Sequence, residues 1–131
     1  GLTQHFVFVR PDDAELLALY RDAQAFIFPS LYEGFVIPIL EAYRMNCPVL
    51  LNRNSCFPEV AGEAALYFNL DDQHDDLLNT LQTLVAMSST ARAELLSKQQ
   101  ERLKSYAWQK AANALHDVYL KVKAQGGRAK R

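Results

Sequence analysis

The sequence predicts an α/β fold with about four parallel strands flanked by helices. Short β-branched and aromatic runs (Phe6–Val9, Ala25–Phe28, Val49–Leu51, Ala65–Phe68) alternate with segments of helical length and pattern. Such alternation builds parallel sheets, because a parallel partner needs a crossover. The chain has 131 residues, half of them hydrophobic, and a net charge of −1. That suits one compact domain, and it argues against nucleic-acid binding, where a basic face is expected.

Taken in order, His5 to Arg10 reads as the first strand, and Pro11-Asp12-Asp13 turns into a helix over Ala14–Arg21. Asp12 or Asp13 can cap that helix, and Glu15 suits its positive end. Ala25–Phe28 is the second strand. A helix opens near Pro38 and should stop at Asn46, which tolerates the left-handed conformation of a C-cap. Val49–Leu51 is a buried strand, and Asn52–Ser55 form the loop at its carboxyl edge. Phe57-Pro58-Glu59-Val60 starts a short helix that Gly62 ends, with Glu59 either a helix-dipole residue or a group that orients the site. Ala65–Phe68 is the fourth strand. Asn69-Leu70-Asp71-Asp72 turns into a helix over about Gln73–Met87, and Ser88-Ser89-Thr90 caps the next, Ala91–Ser105. A last helix spans Trp108–Lys123. His5, His74 and His116 read as ordinary strand-start or surface residues. Cys47 and Cys56 are too few for a metal pattern and read as reduced thiols.

The chain is organised around Phe26-Ile27-Phe28-Pro29-Ser30-Leu31-Tyr32-Glu33-Gly34-Phe35-Val36-Ile37-Pro38-Ile39-Leu40-Glu41. Strand, loop and helix N-terminus in that order hold anionic ligands in open α/β sheets, because the first helical N–H groups face the crevice at the strand ends. Glu33 sits in the loop, and Glu41 lies about one turn inside the helix. A phosphate would repel either carboxylate, so each is better placed to accept hydrogen bonds from sugar hydroxyls. A ligand with a central phosphate and a sugar on each side is a nucleotide sugar.

The string Phe-Pro-Ser-Leu-Tyr-Glu-Gly-Phe, the Glu33–Glu41 spacing, Cys47-Pro48-Val49 and Pro58-Glu59-Val60-Ala61-Gly62 resemble the retaining glycosyltransferases of the two-Rossmann-domain (GT-B) class. The group that contains bacterial mannosyl- and glucosyltransferases and sucrose synthases is the nearest in pattern. The resemblance covers about Phe6 to Tyr119, and it implies that the last helix packs back across the domain junction, with Trp108, Leu115, Val118 and Tyr119 as packing residues. It implies a Rossmann-like three-layer sandwich, with residues 1–125 a partial C-terminal nucleotide-sugar-binding domain and 126–131 a disordered basic tail. That tail is either solvated or in weak contact with anionic lipid or acceptor.

The resemblance also implies roles. Glu33, the catalytic residue, accepts hydrogen bonds from the transferred sugar's hydroxyls. Gly34 belongs to the donor loop, and the amides of Phe35 and Val36 contact the same sugar. The Ile37 amide meets the phosphate, and Glu41 grips the nucleotide ribose. Arg10 either stacks on the base or is a surface residue, and Ser55 with Asn54 either meets the donor or forms a plain turn. Neither metal nor cofactor is expected. The reaction is hexosyl transfer from a nucleotide diphosphate sugar to an acceptor hydroxyl, with retention, in glycan or glycolipid biosynthesis.

Three departures from the family pattern qualify this. Arg10 stands where the family has Gly in a loop near the nucleobase. Val36 stands where Gly is favoured, which matters if the backbone there needs a positive φ. The family's donor domain has six parallel strands, two of which would precede Phe6 and lie between the strands at Phe6 and Phe26 in the doubly wound order. Without them, the expectation is a rearranged four-stranded sheet, a homodimer through the exposed sheet edge, or a missing N-terminal domain or partner chain. The absent segment also carries the Arg and Lys that hold the diphosphate, so little activity is expected of this chain alone.

The alternative reading is a non-catalytic nucleotide-sugar-binding or scaffold module. A nicotinamide-binding domain is disfavoured, because no Gly-x-Gly-x-x-Gly is present. No apolar run approaches a bilayer span, and the expected location is cytoplasmic, with the inner membrane face as the peripheral variant.

Overall fold

The computed structural model describes residues 1–70 and 75–125. The proposed tail at 126–131, His74 and the Asp71-Asp72 turn lie outside them. Three parallel strands, β1 (Phe26–Phe28), β2 (Val49–Asn52) and β3 (Leu66–Phe68), form one sheet in that order. Phe26 pairs with Val49, Ile27 with Leu50 and Phe28 with Leu51, and Leu50 in turn pairs with Leu66.

Side chains alternate across a strand, so β2 feeds two cores. Val49 and Leu51 point to one side, where they meet Ile39, Ala42 and Tyr43 of α2 (Ile37–Arg44) and Phe57 and Val60 of α3 (Phe57–Ala61). Tyr20 of α1 (Asp13–Asp22) joins them. Leu50 points to the other side with Phe68 and Leu77, Leu81 and Leu84 of α4 (Asp75–Val85). All four β2 residues are buried, as a central parallel strand covered on both faces requires. The arrangement is a Rossmann-like α/β sandwich.

The caps follow the local chemistry. Asp12 and Glu15 form a reciprocal capping box on α1, each side chain accepting from the other's backbone N–H at 2.9 Å. Ser88 accepts from the Ala91 amide at the start of α5 (Ser89–Leu103). Asn46 adopts φ 55° just beyond α2, and Gly62 adopts φ 58° after α3. Gln100 of α5 donates to the Tyr43 carbonyl (2.6 Å) and to Asn46 Oδ1 (2.8 Å), which satisfies the exit of α2.

Two expectations are corrected. The strand expected over His5–Arg10 is absent: Leu2–His5 is a 3-10 turn, and residues 6–10 run extended and exposed, with Phe8 93% and Val7 83% accessible. Strand formation is a property of a neighbour as much as of composition, and among the described residues nothing pairs with this arm. The sheet therefore has three strands rather than four, and β1 is at its edge rather than beside a moved Phe6 strand.

The second concerns α6 (Trp108–Gln125). Trp108, Leu115, Val118 and Tyr119 carry the apolar pattern of packing residues, yet α6 buries none of its side chains. It meets the body chiefly at the 3-10 turn Lys104–Tyr106. The amphipathic stripe is there, but what would cover it is not among the described residues.

Candidate functional site: the loop from β1 to α2

At the carboxyl end of β1, Phe28 packs edge-on against Phe57 (5.8 Å), and the chain turns through Pro29 and Ser30 into the loop that carries Glu33. Three contacts fix that loop. The Asn52 side-chain amide, 4% exposed at the end of β2, donates to the Ser30 carbonyl (3.2 Å) while its Oδ1 accepts from the Leu70 amide (3.2 Å). One buried amide thus ties together the segments that follow all three strands. The Ser30 hydroxyl donates to Glu33 Oε1 at 3.0 Å. The Ser55 hydroxyl accepts from the Glu33 N–H (3.1 Å) and donates to the Glu33 carbonyl (2.7 Å). Ser55 itself sits at φ 53°, a left-handed conformation in the loop after β2.

Beyond Glu33, the Phe35 ring lies 5.7 Å from Tyr106. The Tyr106 hydroxyl donates to the Val60 carbonyl at 3.1 Å. Arg102 donates from Nε to the same carbonyl (2.9 Å) and from its terminal nitrogen to the Glu59 carbonyl. A cation therefore sits on the C-terminal carbonyls of α3, where the helix dipole favours it. The Glu59 carboxylate makes no hydrogen bond among the described residues, so the dipole role at the start of α3 is the one its position supports.

Val36 is the N-cap residue of α2, at φ −114°, ψ 92°, with its side chain in the core at 2% exposure. No positive φ is required there, which removes the conflict that a β-branched residue would create. Gly34 does not need one either, and a Cβ built on it meets nothing within 4 Å. Space beside the loop is open at that point.

The backbone N–H groups of Gly34, Phe35, Val36 and Ile37 have no acceptor among the described residues. α2 has no side-chain N-cap bond, and Pro38 in its first turn removes one donor that would otherwise be unmet. Glu41 lies four residues after Ile37, on the same helical face. It is half-buried, and its Oε2 accepts from the Tyr20 hydroxyl at 3.4 Å. Burial first, and the Glu41 carboxylate second, push the Tyr20 phenol up to about 12.

The structure thus joins Glu33 to Ser55 and leaves the Gly34–Ile37 amides without an acceptor among the described residues, with Glu41 one turn inside. Arg10 is placed elsewhere. It is exposed and borders an open groove of about 720 Å³ between the N-terminal arm and α1, together with Glu15, Leu19 and Asp22 but no residue of the 30–41 segment. Asn54 Oδ1 accepts from the Ser55 amide (2.6 Å) and so serves its own turn. Three residues that the sequence reading gave no role to are structurally prominent: Asn52, Tyr20 and Arg102. A polar residue that closes an otherwise apolar strand was the available signal for Asn52; the other two act across 21 and 42 residues and leave no local mark.

Among the described residues, no group of three His, Cys, Asp or Glu side chains is placed to hold a metal ion. No described helix is long and apolar enough to cross a membrane.

Comparison with known proteins gives the family of the chain. Residues 1–87 match the family model described as glycosyl transferases group 1. The O-antigen chain mannosyltransferase B of Escherichia coli is 33% identical over 111 residues, which is 82% of this chain and 28% of that protein. The MMP alpha-(1->4)-mannosyltransferase of Mycolicibacterium hassiacum is 32% identical over 116 residues, covering 86% of this chain and 28% of its own length. Among solved structures, sucrose-phosphate synthase from Thermosynechococcus elongatus superposes with a TM-score of 0.78 at 26% identity, covering 95% of this chain and 32% of that one. The chain spans less than a third of the length of each of these relatives. It belongs to the glycosyl transferases group 1 family.

Proposed function

We propose that this chain is the donor-binding part of a retaining glycosyltransferase, which moves a hexose from a nucleotide diphosphate sugar to an acceptor hydroxyl in glycan or glycolipid biosynthesis. The observation that carries the reading is the run of amides from Gly34 to Ile37 that have no acceptor among the described residues, with a pinned Glu33 before it and Glu41 one turn after. Amides at a helix N-terminus suit a diphosphate, and they stabilise the negative charge that gathers on it as the sugar leaves. The flanking carboxylates suit hydroxyls: Glu33 those of the transferred sugar, Glu41 those of the ribose. The open space at Gly34 supports a close approach of ligand to backbone. Since two relatives are named mannosyltransferases, mannose donors come first among those to test.

These residues form a donor-binding half. Their amides carry the diphosphate in this proposal, and an acceptor site would come from an N-terminal domain or a partner chain. The unpaired edge of β1, the apolar 6–9 arm and the bare face of α6 support such a partner; the β1 edge also offers a route to a homodimer. The same features favour, as a second reading, a non-catalytic nucleotide-sugar-binding or scaffold subunit. Under either reading the site works in the cytoplasm, in solution or at the inner membrane face.

Amide chemical-shift mapping tests the donor site. Adding GDP-mannose or UDP-glucose should move the Gly34, Phe35, Val36 and Ile37 resonances first. Shifts confined to the Arg10 groove, or none with any nucleotide sugar, would remove the proposal.

A further inference from the structure

We infer that Tyr20 is a positioning residue for the nucleotide's ribose, acting through the carboxylate of Glu41. The inference rests on the donor-site reading above, and it assigns a task to a residue on a different helix from the site itself.

The geometry sets the task. Tyr20 is 6% exposed on α1, and its ring packs edge-on against Phe26 of β1 with centroids 5.2 Å apart. Its hydroxyl has one hydrogen-bond partner among the described residues, Glu41 Oε2. Glu41 makes no ion pair, and Arg44, one turn further along α2, is not bonded to it among the described residues. The tyrosine is therefore the one side-chain group that contacts the carboxylate among the described residues. α1 is itself held by the Asp12–Glu15 capping box, so the hydroxyl is presented from a firm support.

A carboxylate has about four acceptor positions. One taken by a phenol leaves the rest for the two adjacent hydroxyls of a ribose, provided the carboxylate plane is already turned towards them. Without the phenol, an unbranched Glu side chain samples several rotamers, and binding must order it. At 3.4 Å the contact is long for an O–H···O bond, and the role assigned here needs it to shorten when a nucleotide binds. The raised phenol keeps its proton, and so stays a donor, at any physiological pH.

Tyr20→Phe keeps the ring and its packing on Phe26 and removes only the hydroxyl. The test is calorimetric titration of UDP, GDP and ADP, and of their 2′-deoxy counterparts, into wild type, Tyr20→Phe, Glu41→Ala and the double variant. Tyr20→Phe should weaken the preferred ribonucleoside diphosphate about 3- to 10-fold, the range of one lost hydrogen bond. It should weaken the 2′-deoxy ligand, which keeps only one of the two hydroxyls, less than the ribo ligand, and add nothing on top of Glu41→Ala. Equal weakening of ribo and deoxy ligands, a further loss in the Glu41→Ala background, or no loss at all would overturn the inference. If Glu41→Ala weakens binding while Tyr20→Phe does not, the donor site stands and Tyr20's role falls. If wild type binds none of the six nucleotides, or Glu41→Ala changes nothing, both fall together.

Discussion

The Ser55 hydroxyl clasps the backbone of Glu33 from both sides, accepting from its N–H at 3.1 Å and donating to its carbonyl at 2.7 Å. The two residues lie 22 positions apart and belong to the loops after β2 and β1. The clasp sets where the Glu33 side chain leaves the backbone, while Ser30 holds the carboxylate itself at 3.0 Å. Ser55→Ala removes both bonds and keeps a Cβ at φ 53°, whereas Ser55→Gly removes them and relieves the left-handed backbone. Ser55→Ala should cost about 1–2 kcal/mol in urea unfolding, and Ser55→Gly less. Both should weaken a nucleotide sugar more than the bare nucleotide. Equal loss for the two ligands would show that Ser55 holds the fold and not the sugar site.

Asn52 offers a sharper stability test. Its side chain is 4% exposed and links the Ser30 carbonyl to the Leu70 amide. Asn52→Leu strands both part-buried backbone groups and should cost about 2–4 kcal/mol, less than the roughly 2–6 that two fully buried unmet partners of about 1–3 each would imply. Asn52→Asp keeps the acceptor for Leu70 and loses the donor to Ser30, so it should fall between wild type and the Leu variant. Urea midpoints in that order would match the bridge; a neutral Asn52→Leu would not.

Arg102 sits on the last carbonyls of α3 with two nitrogens and also bonds the Tyr106 hydroxyl at 3.1 Å. A lysine keeps the charge but not the planar fork. Arg102→Lys should lower stability by about 1 kcal/mol and Arg102→Ala by about 2, as lost charged hydrogen bonds of about 1.5–3 allow when water partly replaces them. Because Tyr106 also lies against Phe35, Arg102→Ala should broaden the amide resonances of 34–37. Sharp, unmoved resonances there would show that the α5 clamp stops at α3.

Burial raises the phenols of Tyr20, Tyr43 and Tyr67 above their ordinary value of 10.0, that of Tyr20 to about 12. A phenol raised in the fold favours the protonated form. Its stabilising contribution is complete below pH 10 and is lost as pH rises towards the folded-state values, because the unfolded chain ionises first. Urea midpoints should therefore fall steadily above about pH 10. Replacing Glu41 with Gln should bring the Tyr20 titration part of the way back, since burial is the larger cause and remains. An unmoved Tyr20 titration would deny the Tyr20–Glu41 contact.

Much of the donor loop was legible in the order of its residues. Phe26–Phe28 and Pro38 mark strand and helix start because each signal is local: branching, and a fixed φ. Asn46 and Gly62 likewise announced helix exits, and both take positive φ. What could not be read depends on partners distant in the chain. Phe6–Val9 has every feature of a strand except a neighbour, and Trp108 has every feature of a core residue except a surface to cover it. Val36 looked like a misfit for a backbone that favours Gly, but its φ of −114° turns the side chain into the core. The Ser55 clasp, the Asn52 bridge and the Tyr20 contact arise only when the strands are set side by side.

The central claim is that Glu33 reads the transferred sugar and Glu41 the nucleotide. Titrating GDP, GDP-mannose, UDP and UDP-glucose into wild type, Glu33→Ala and Glu41→Ala separates the two. Glu41→Ala should weaken nucleotide and nucleotide sugar alike by about 1–3 kcal/mol, while Glu33→Ala should weaken only the sugar-bearing ligands by a similar amount. The same loss for all four ligands in both variants, or no loss in either, would contradict the account.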